Sequence, residues 1–143
     1  MDDKKYLVDT LTKIDREGMD GLISYMEEFG FFTAPCSGGN HLACEGGLLK
    51  HTRNVMELAE KIGVAFLGGE KYNKIHESVM IAAALHDLGK IGQFGKPEYV
   101  DKILQSGKPS ASKPYKRNNE LLNVPHEIRS VAIATMYIDL TEE

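Results

Sequence analysis

The chain has 143 residues, of which 42% are hydrophobic, and its formal net charge is −4. This length suits one average domain, predicted over 1–143, and the apolar content is enough for a core, which argues against a disordered chain. The negative charge argues against a dedicated binder of double-stranded DNA.

The sequence gives no indication of a membrane protein. The longest apolar run, residues 79–85, is far shorter than the ~20 residues that span a bilayer. The N-terminal stretch MDDKKYLVD has no apolar signal-peptide core. We therefore expect a cytoplasmic protein without membrane contacts. In a reducing compartment its two cysteines, Cys36 and Cys44, are expected to be free thiols or ligands.

Two helices are predicted near the N-terminus. The first covers residues 3–15, and the second begins after Gly18 with Asp20 as its cap and runs to about residue 28. Their inward-facing positions are predicted to be Leu7, Leu11, Ile14, Leu22, Ile23 and Met26.

Two longer helices are predicted in the middle of the chain. After a loop rich in Gly, Pro and Ser, a third helix covers residues 47–62 and ends at Gly63. Its apolar residues at helical spacing are Leu48, Leu49, Val55, Leu58, Ala59 and Ile62. A fourth helix covers residues 71–88.

The segment 89–122 shows no helical stripe. Its stretches EYVDKIL and KPYKRN, on either side of SGKPSAS, predict two short strands of a loose hairpin. A fifth helix begins near Pro125, a residue favoured in the first helical turn, and carries Val131, Ala132, Ala134 and Met136. The fold class predicted is all-α, with about five to six helices and a long hairpin-like loop.

Positive charge is concentrated between residues 88 and 118. Only two acids, Glu98 and Asp101, lie in this segment, so its net charge is +5 and the rest of the chain carries −9. The basic residues are Lys90, Lys96, Lys102, Lys108, Lys113, Lys116 and Arg117. One interpretation is a solvated lysine-rich loop, and the other is a surface that attracts an anion.

The apolar run in AALHDLGKIG stops at His86 and Asp87, two polar residues that are costly to bury without partners. The side chains of adjacent helical residues point in different directions, so His86 and Asp87 can face the same site only near a helix end or bend. Gly89 would end the helix there. His51 lies four residues after Gly47 on the third helix and would face His86 if the two helices are neighbours. Two imidazoles and a carboxylate form a ligand set for a divalent transition metal. The alternative is a plain hydrogen-bonded pair in a turn.

A second metal-binding pattern overlaps the first. The residues Cys36, His41, Cys44 and His51 are spaced C-x4-H-x2-C-x6-H, which offers four ligands for a structural zinc ion. This arrangement would use His51 and exclude the catalytic interpretation. It lacks the close C-x2-C pair of zinc fingers, so two inert thiols and a loop histidine are the alternative.

The stretch GGLLKHT, followed some 35 residues later by LHDLGK, resembles the HD-domain superfamily of metal-dependent phosphohydrolases. The segments FFTAPCSGGNHLACEGGLLKHTRNV and PHEIRSVAIA extend the resemblance to phage-type and exoribonuclease-associated HD proteins, over residues 31–143. The resemblance implies an all-α bundle and metal-assisted hydrolysis of a phosphoester, in which the metal lowers the pKa of water and offsets phosphate charge.

The resemblance also implies roles for individual residues. His51, His86 and Asp87 correspond to the first three metal ligands, and His126 corresponds to a ligand of a second metal or of a phosphate. Asp87 and Lys90 are the implied catalytic residues, with Lys90 contacting a substrate phosphate or the leaving group. The implied cofactor is one or two divalent ions of Mn, Mg, Fe, Ni, Co or Zn.

A substrate-binding set follows from the mechanism and the basic segment. Lys96, Lys116 and Arg117 would form an electropositive lid, and Tyr115 would either stack on a base or pack the lid onto the body. His41, in the loop before the glycine pair, is included in this set. The expected substrates are phosphorylated small molecules, nucleotides and short single-stranded nucleic acids.

The family pattern also has a late aspartate ligand, and Asp139 is a poor match to it. Thr141 is a good helix cap with acids after it, so the sequence predicts the start of a further helix. Two hypotheses follow. The chain is a hydrolase whose last ligand comes from a longer chain, a homo-oligomer or an unexpected residue such as Asp139, or it is a non-catalytic or incomplete HD domain that binds metal, nucleotide or a protein partner.

Overall fold

Six α-helices and a two-stranded sheet form the fold of residues 2–141, the part that the computed structural model describes. This arrangement confirms the all-α prediction. The elements are α1 Asp3–Thr12, α2 Met19–Glu28, α3 Gly47–Leu67, α4 Gly69–Asn73, α5 His76–Leu85, β1 Tyr99–Asp101, β2 Tyr115–Arg117 and α6 His126–Ala134, with a 3-10 turn, Leu88–Ile91, after α5.

The core lies between α1, α2, α3 and α5. Most of the predicted inward residues are buried, namely Leu7, Leu11, Ile14, Leu22 and Met26, while Ile23 packs at the edge of the core. Helix α5 is apolar from Val79 to Leu85, as expected for a helix of the core, and Met80, Ile81 and Leu85 are buried there.

The start of α2 differs from the prediction. Gly18, not Asp20, is the residue before the helix, and its φ of 87° is left-handed. A side chain is also excluded there, because a Cβ would lie 1.7 Å from the carbonyl oxygen of Tyr137. Asp20 lies instead in the first turn, where its negative charge interacts favourably with the helix dipole.

Helix α3 continues past Gly63, which the sequence predicted as its end. Gly63 is inside the helix, and the ring of Tyr72 packs so closely against it that a Cβ would lie 2.4 Å from that ring. The helix ends at Gly68, with φ of 75°. Leu58 and Ile62, two of the apolar residues at helical spacing, are exposed on this longer helix.

The fourth predicted helix, over residues 71–88, is two helices. Helix α4 ends at Asn73, and α5 begins at His76 after Ile75, whose φ and ψ are −117° and 4°. The break allows Tyr72 to be buried against α3 while α5 takes its own direction through the core.

The hairpin predicted in the basic segment is present. Strands β1 and β2 are antiparallel, with Tyr99 opposite Arg117 and Asp101 opposite Tyr115. The backbone N–H of Tyr115 donates to the carbonyl of Gly38 at 3.0 Å, which attaches the hairpin to the loop before α3.

Helix α6 begins after Pro125, close to the predicted position. Its core face consists of Ile133 and Ala134, whereas the predicted apolar residues Val131 and Met136 are exposed. Thr141 is not helical, and Glu142 and Glu143, predicted in the first turn of a further helix, lie outside the described residues. None of the helices within residues 2–141 has the length and apolar character needed to cross a membrane.

Candidate metal centre

The Asp87 carboxylate is buried and lies at the meeting point of three histidines and a lysine. Its Oδ2 atom is 3.3 Å from Nε2 of both His51 and His86, and 2.8 Å from Nζ of Lys90. Its Oδ1 atom is 3.2 Å from Nε2 of His126. His86 and Asp87, the two polar residues at the end of the apolar helix, therefore both have polar partners in the structure.

The two glycines before α3 position His51. Gly46 adopts φ of 71° immediately before the helix, and a Cβ on Gly47 would lie 2.0 Å from the carbonyl oxygen of Leu42. The loop carrying Cys36 therefore packs directly against the first turn of α3. His51, one turn later, faces the end of α5.

His86 is oriented by its own helix. It follows the last residue of α5, and its Nδ1 atom lies 2.8 Å from the carbonyl oxygen of Ala83, to which Nδ1–H donates. This hydrogen bond leaves the Nε2 atom to face the site, which is the usual arrangement of a histidine metal ligand. The next residue, Asp87, leaves the helical conformation at φ −110° and ψ 12° and turns its carboxylate towards the same place.

Gly89 and Ser130 attach α6 to this turn. The buried N–H of Gly89 donates to Oγ of Ser130 at 2.7 Å, and a Cβ on Gly89 would lie 2.1 Å from the carbonyl oxygen of His126. The Ser130 hydroxyl is also within hydrogen-bond distance of the carbonyl oxygens of His86 and His126. This close contact brings His126 to Asp87.

The electrostatics favour a charged Asp87. Burial raises the pKa of Asp87, but hydrogen bonds and positive charge from His86 and Lys90 outweigh burial and hold it well below its usual range. Burial lowers the pKa of Lys90, yet the hydrogen bond and charge of Asp87 prevail and raise it. The pKa of His86 is raised by its hydrogen bond to Asp87, and burial lowers the pKa of His51.

Cys36 also faces the centre. One donor atom each of Cys36, His51 and Asp87 lies within 4.8 Å of the others. The thiol is buried and lies 3.7 Å from Nζ of Lys90. Burial raises its pKa, an effect that the Lys90 charge partly offsets. In residues 2–141 no such ligand group contains His41 or Cys44, so the predicted zinc arrangement of Cys36, His41, Cys44 and His51 does not form.

The donor set fits a divalent metal. Neighbouring ligands bound to one ion at about 2.1 Å lie about 3.0–3.4 Å apart. The Nε2 atoms of His51 and His86 are 3.2 Å apart, and each is 3.3 Å from Oδ2 of Asp87. The three atoms thus form a triangle with the dimensions of one face of a coordination polyhedron.

Of the predicted substrate-binding residues, His41 lies next to a residue of this triangle, and Tyr115, Lys116 and Lys96 belong to the basic segment. The exposed ring of His41 is next to that of His51, with 5.3 Å between the ring centroids. Tyr115 is half-buried in the hairpin and Lys116 is exposed. Lys96 pairs with Glu120 at 3.9 Å. Their contact with a substrate stays a prediction.

Arg117, predicted as a lid residue that contacts substrate, forms contacts with other side chains of the protein. It pairs with the buried carboxylate of Glu98 at 3.1 Å and donates to Oδ1 of Asn123 at 2.7 Å. Glu98 also pairs at 2.6 Å with the buried guanidinium of Arg129, which donates to the carbonyl of Gly89. This pair connects the hairpin, α6 and the turn after Asp87.

A family model described as "HD domain" matches residues 48–136. The chain belongs to the HD-domain family. The matched range contains His51, His86, Asp87 and His126, the histidines and aspartate that converge in the structure. No match was found among curated proteins or among solved structures.

Sequence reasoning missed three residues that support the HD-domain site: Ser130, Arg129 and Glu98. Ser130 could have been found, because it lies four residues after His126 and therefore on the same face of a helix that begins there. The pairing of Glu98 with Arg129 spans 31 residues and leaves no local signal.

Proposed function

We propose that this HD domain is a metal-dependent phosphohydrolase that acts on a nucleotide or another phosphoester, including short single-stranded nucleic acid. The observation that carries the proposal is the triangle of donor atoms from His51, His86 and Asp87. The similarity of the 31–47 loop to phage-type and exoribonuclease-associated HD proteins favours that branch of the family.

The proposal assigns the first metal to His51, His86 and Asp87. His126 faces the second oxygen of Asp87, so it would hold a second ion or a phosphate oxygen. A divalent ion bound there supplies Lewis-acid polarisation of the phosphoryl group and a water of lowered pKa. Asp87 uses both carboxylate oxygens and so keeps the donors of α3, α5 and α6 at fixed separations.

Lys90 is the proposed phosphate-binding residue. Its raised pKa keeps the amine protonated, and it lies beside Asp87 on the side of Cys36. A fixed ammonium at this position offsets negative charge that develops on a phosphoryl oxygen or on the leaving group. His41, Lys96, Tyr115, Lys116 and Arg117 are proposed to contact the rest of the substrate.

The metal centre is tested by elemental analysis of untagged protein, comparing the wild type with His86→Ala and His76→Ala. His76 is the matched control, since it is the first residue of α5, at the opposite end of the helix from His86, and its Nε2 atom lies 3.8 Å from Glu60. We expect about one or two equivalents of metal in the wild type and His76→Ala, and loss of metal in His86→Ala. An unchanged metal content in His86→Ala would refute the site.

Thermal unfolding provides an independent readout of the same site. A metal at 100 times its Kd adds about 2.7 kcal/mol to stability if it binds only the folded state. The addition of Mn²⁺ or Zn²⁺ should therefore raise the Tm of the wild type and His76→Ala, and leave that of His86→Ala unchanged.

Hydrolysis distinguishes the two hypotheses. We expect the metal-loaded protein to cleave a chromogenic phosphodiester or a nucleotide, and Lys90→Ala to lose most of that activity while keeping its metal. A protein that binds metal but hydrolyses no phosphoester would favour the second candidate, a non-catalytic HD domain. The observation behind that candidate is that Asp87 is the one carboxylate in the metal-ligand group of residues 2–141.

A further inference from the structure

Cys36 is a buried thiol next to two of the metal ligands of the proposed function. Cys36 lies in the loop before α3, and backbone contacts fix the position of this loop. The Cys36 N–H donates to the carbonyl of Leu42 at 3.1 Å, and the same carbonyl packs against Gly47. The sulfur is thus placed by backbone contacts with the first turn of α3, the helix that carries His51.

The surroundings of the sulfur are polar for a buried thiol. His51 and Asp87 each place a donor atom within 4.8 Å of it, and the ammonium of Lys90 lies 3.7 Å away. The same ammonium lies 2.8 Å from Oδ2 of Asp87. The thiol therefore faces an ammonium, an imidazole and a carboxylate, and not only the apolar side chains that surround a core cysteine.

We propose that Cys36 is a sulfur ligand of the metal held by His51, His86 and Asp87, and that the site therefore selects Zn²⁺, Co²⁺ or Fe²⁺ over Mg²⁺. This inference rests on the metal site of the proposed function. Thiolates bind these softer ions, whereas Mg²⁺ takes oxygen ligands.

The distances are compatible with this assignment. With a metal–sulfur distance of about 2.3 Å and metal–nitrogen or metal–oxygen distances of about 2.1 Å, ligand separations are about 3.1 Å for octahedral neighbours, about 3.6 Å for tetrahedral neighbours and about 4.4 Å for opposite ligands. The donor atoms of Cys36, His51 and Asp87 lie within 4.8 Å of one another, which is close to these separations, and a rotation of the Cys36 side chain would adjust the position of the sulfur. On binding, the Sγ–H bond breaks, one metal–sulfur bond forms and one proton is released to solvent.

Cobalt is the probe for this inference, because a sulfur–cobalt bond produces a charge-transfer absorption in the near ultraviolet. Untagged protein is stripped with a chelator, reloaded with Co²⁺ under reducing conditions and compared with Cys36→Ser, Cys44→Ser and His86→Ala. Cys44 is the matched control, because it is an exposed cysteine outside the ligand group.

We expect the absorption in the wild type and Cys44→Ser, and its loss in Cys36→Ser and His86→Ala. Zn²⁺ affinity of Cys36→Ser should fall by at least about 10–100-fold, the loss caused by removing even a supporting partner of a ligand. Mg²⁺ affinity should not fall in the same variant.

The wild-type spectrum decides the outcome even if Cys36→Ser fails to fold. Bound Co²⁺ without the charge-transfer absorption would overturn the inference and leave the His51, His86 and Asp87 site standing. An absorption that persists in His86→Ala or depends on Cys44 would also overturn it. If the wild type binds no Co²⁺ at all, both the inference and the proposed metal site are wrong.

Discussion

Replacing Ser130 with alanine tests whether one hydroxyl holds α6 against the turn after Asp87. Ser130→Ala removes the acceptor of the buried Gly89 N–H, at 2.7 Å in the structure. A buried donor left without a partner costs about 1–3 kcal/mol. The carbonyl of His126 loses little, because it still accepts within the helix. The expected loss is therefore about 1–3 kcal/mol of unfolding free energy, or about 3–9 °C in Tm for a chain of this size.

The matched control for Ser130→Ala is Thr135→Ala, at the C-terminal cap of the same helix. The Thr135 hydroxyl donates to the carbonyl of Val131, four residues earlier, at 2.9 Å, as that of Ser130 does to His126. Thr135 is exposed, so its loss should change stability by less than about 0.5 kcal/mol. Urea and thermal denaturation measure both variants. Equal stabilities of the two variants would refute the role given to the Ser130–Gly89 hydrogen bond.

Two other contacts can be tested by denaturation. Gly47→Ala should lose about 1–3 kcal/mol, because its Cβ would meet a backbone carbonyl at 2.0 Å, whereas Gly69→Ala meets nothing within 4 Å and should lose nothing. Equal melting temperatures would contradict the close packing of the loop on α3. Arg129→Met should lose about 3–5 kcal/mol by leaving Glu98 buried without its main partner, and the exposed Lys96→Ala should change stability by less than about 1 kcal/mol. A small loss in Arg129→Met would show that Glu98 does not depend on that pair.

The sequence predicted the helices better than their ends. Apolar periodicity located the core residues of α1 and α2, because burial requires a regular spacing along one helix face. It placed the end of α3 at Gly63 because glycine usually follows a helix. In the structure Gly63 makes room for the ring of Tyr72, nine residues away in the chain but adjacent in space. Such a contact has no signal in the spacing of α3 alone.

The positive charge of the segment 88–118 is a second case in which contacts between residues distant in the chain limit a prediction from sequence. A charge count over a window treats every basic residue as facing solvent. In the structure Arg117 pairs with Glu98 inside the window, and Lys96 pairs with Glu120 just outside it. The electropositive surface predicted from the count is therefore partly neutralised, whereas Lys116 is exposed. A substrate-binding role for these residues depends on which of the ion pairs an anionic substrate can displace.

The clustered histidines and aspartate were easier to predict, because the end of a single helix brings two of them together. His86 and Asp87 are adjacent, and the end of α5 turns both towards the start of α3, where His51 follows the glycine pair. The position of Cys36 was harder to predict, since it depends on how the loop before α3 packs against Gly47. The sequence offered Cys36 and His51 as ligands of one ion, but with partners from the same loop. The structure instead places Asp87, from the turn after α5, beside these two residues, so the thiol lies next to the candidate metal centre and not in a separate zinc site.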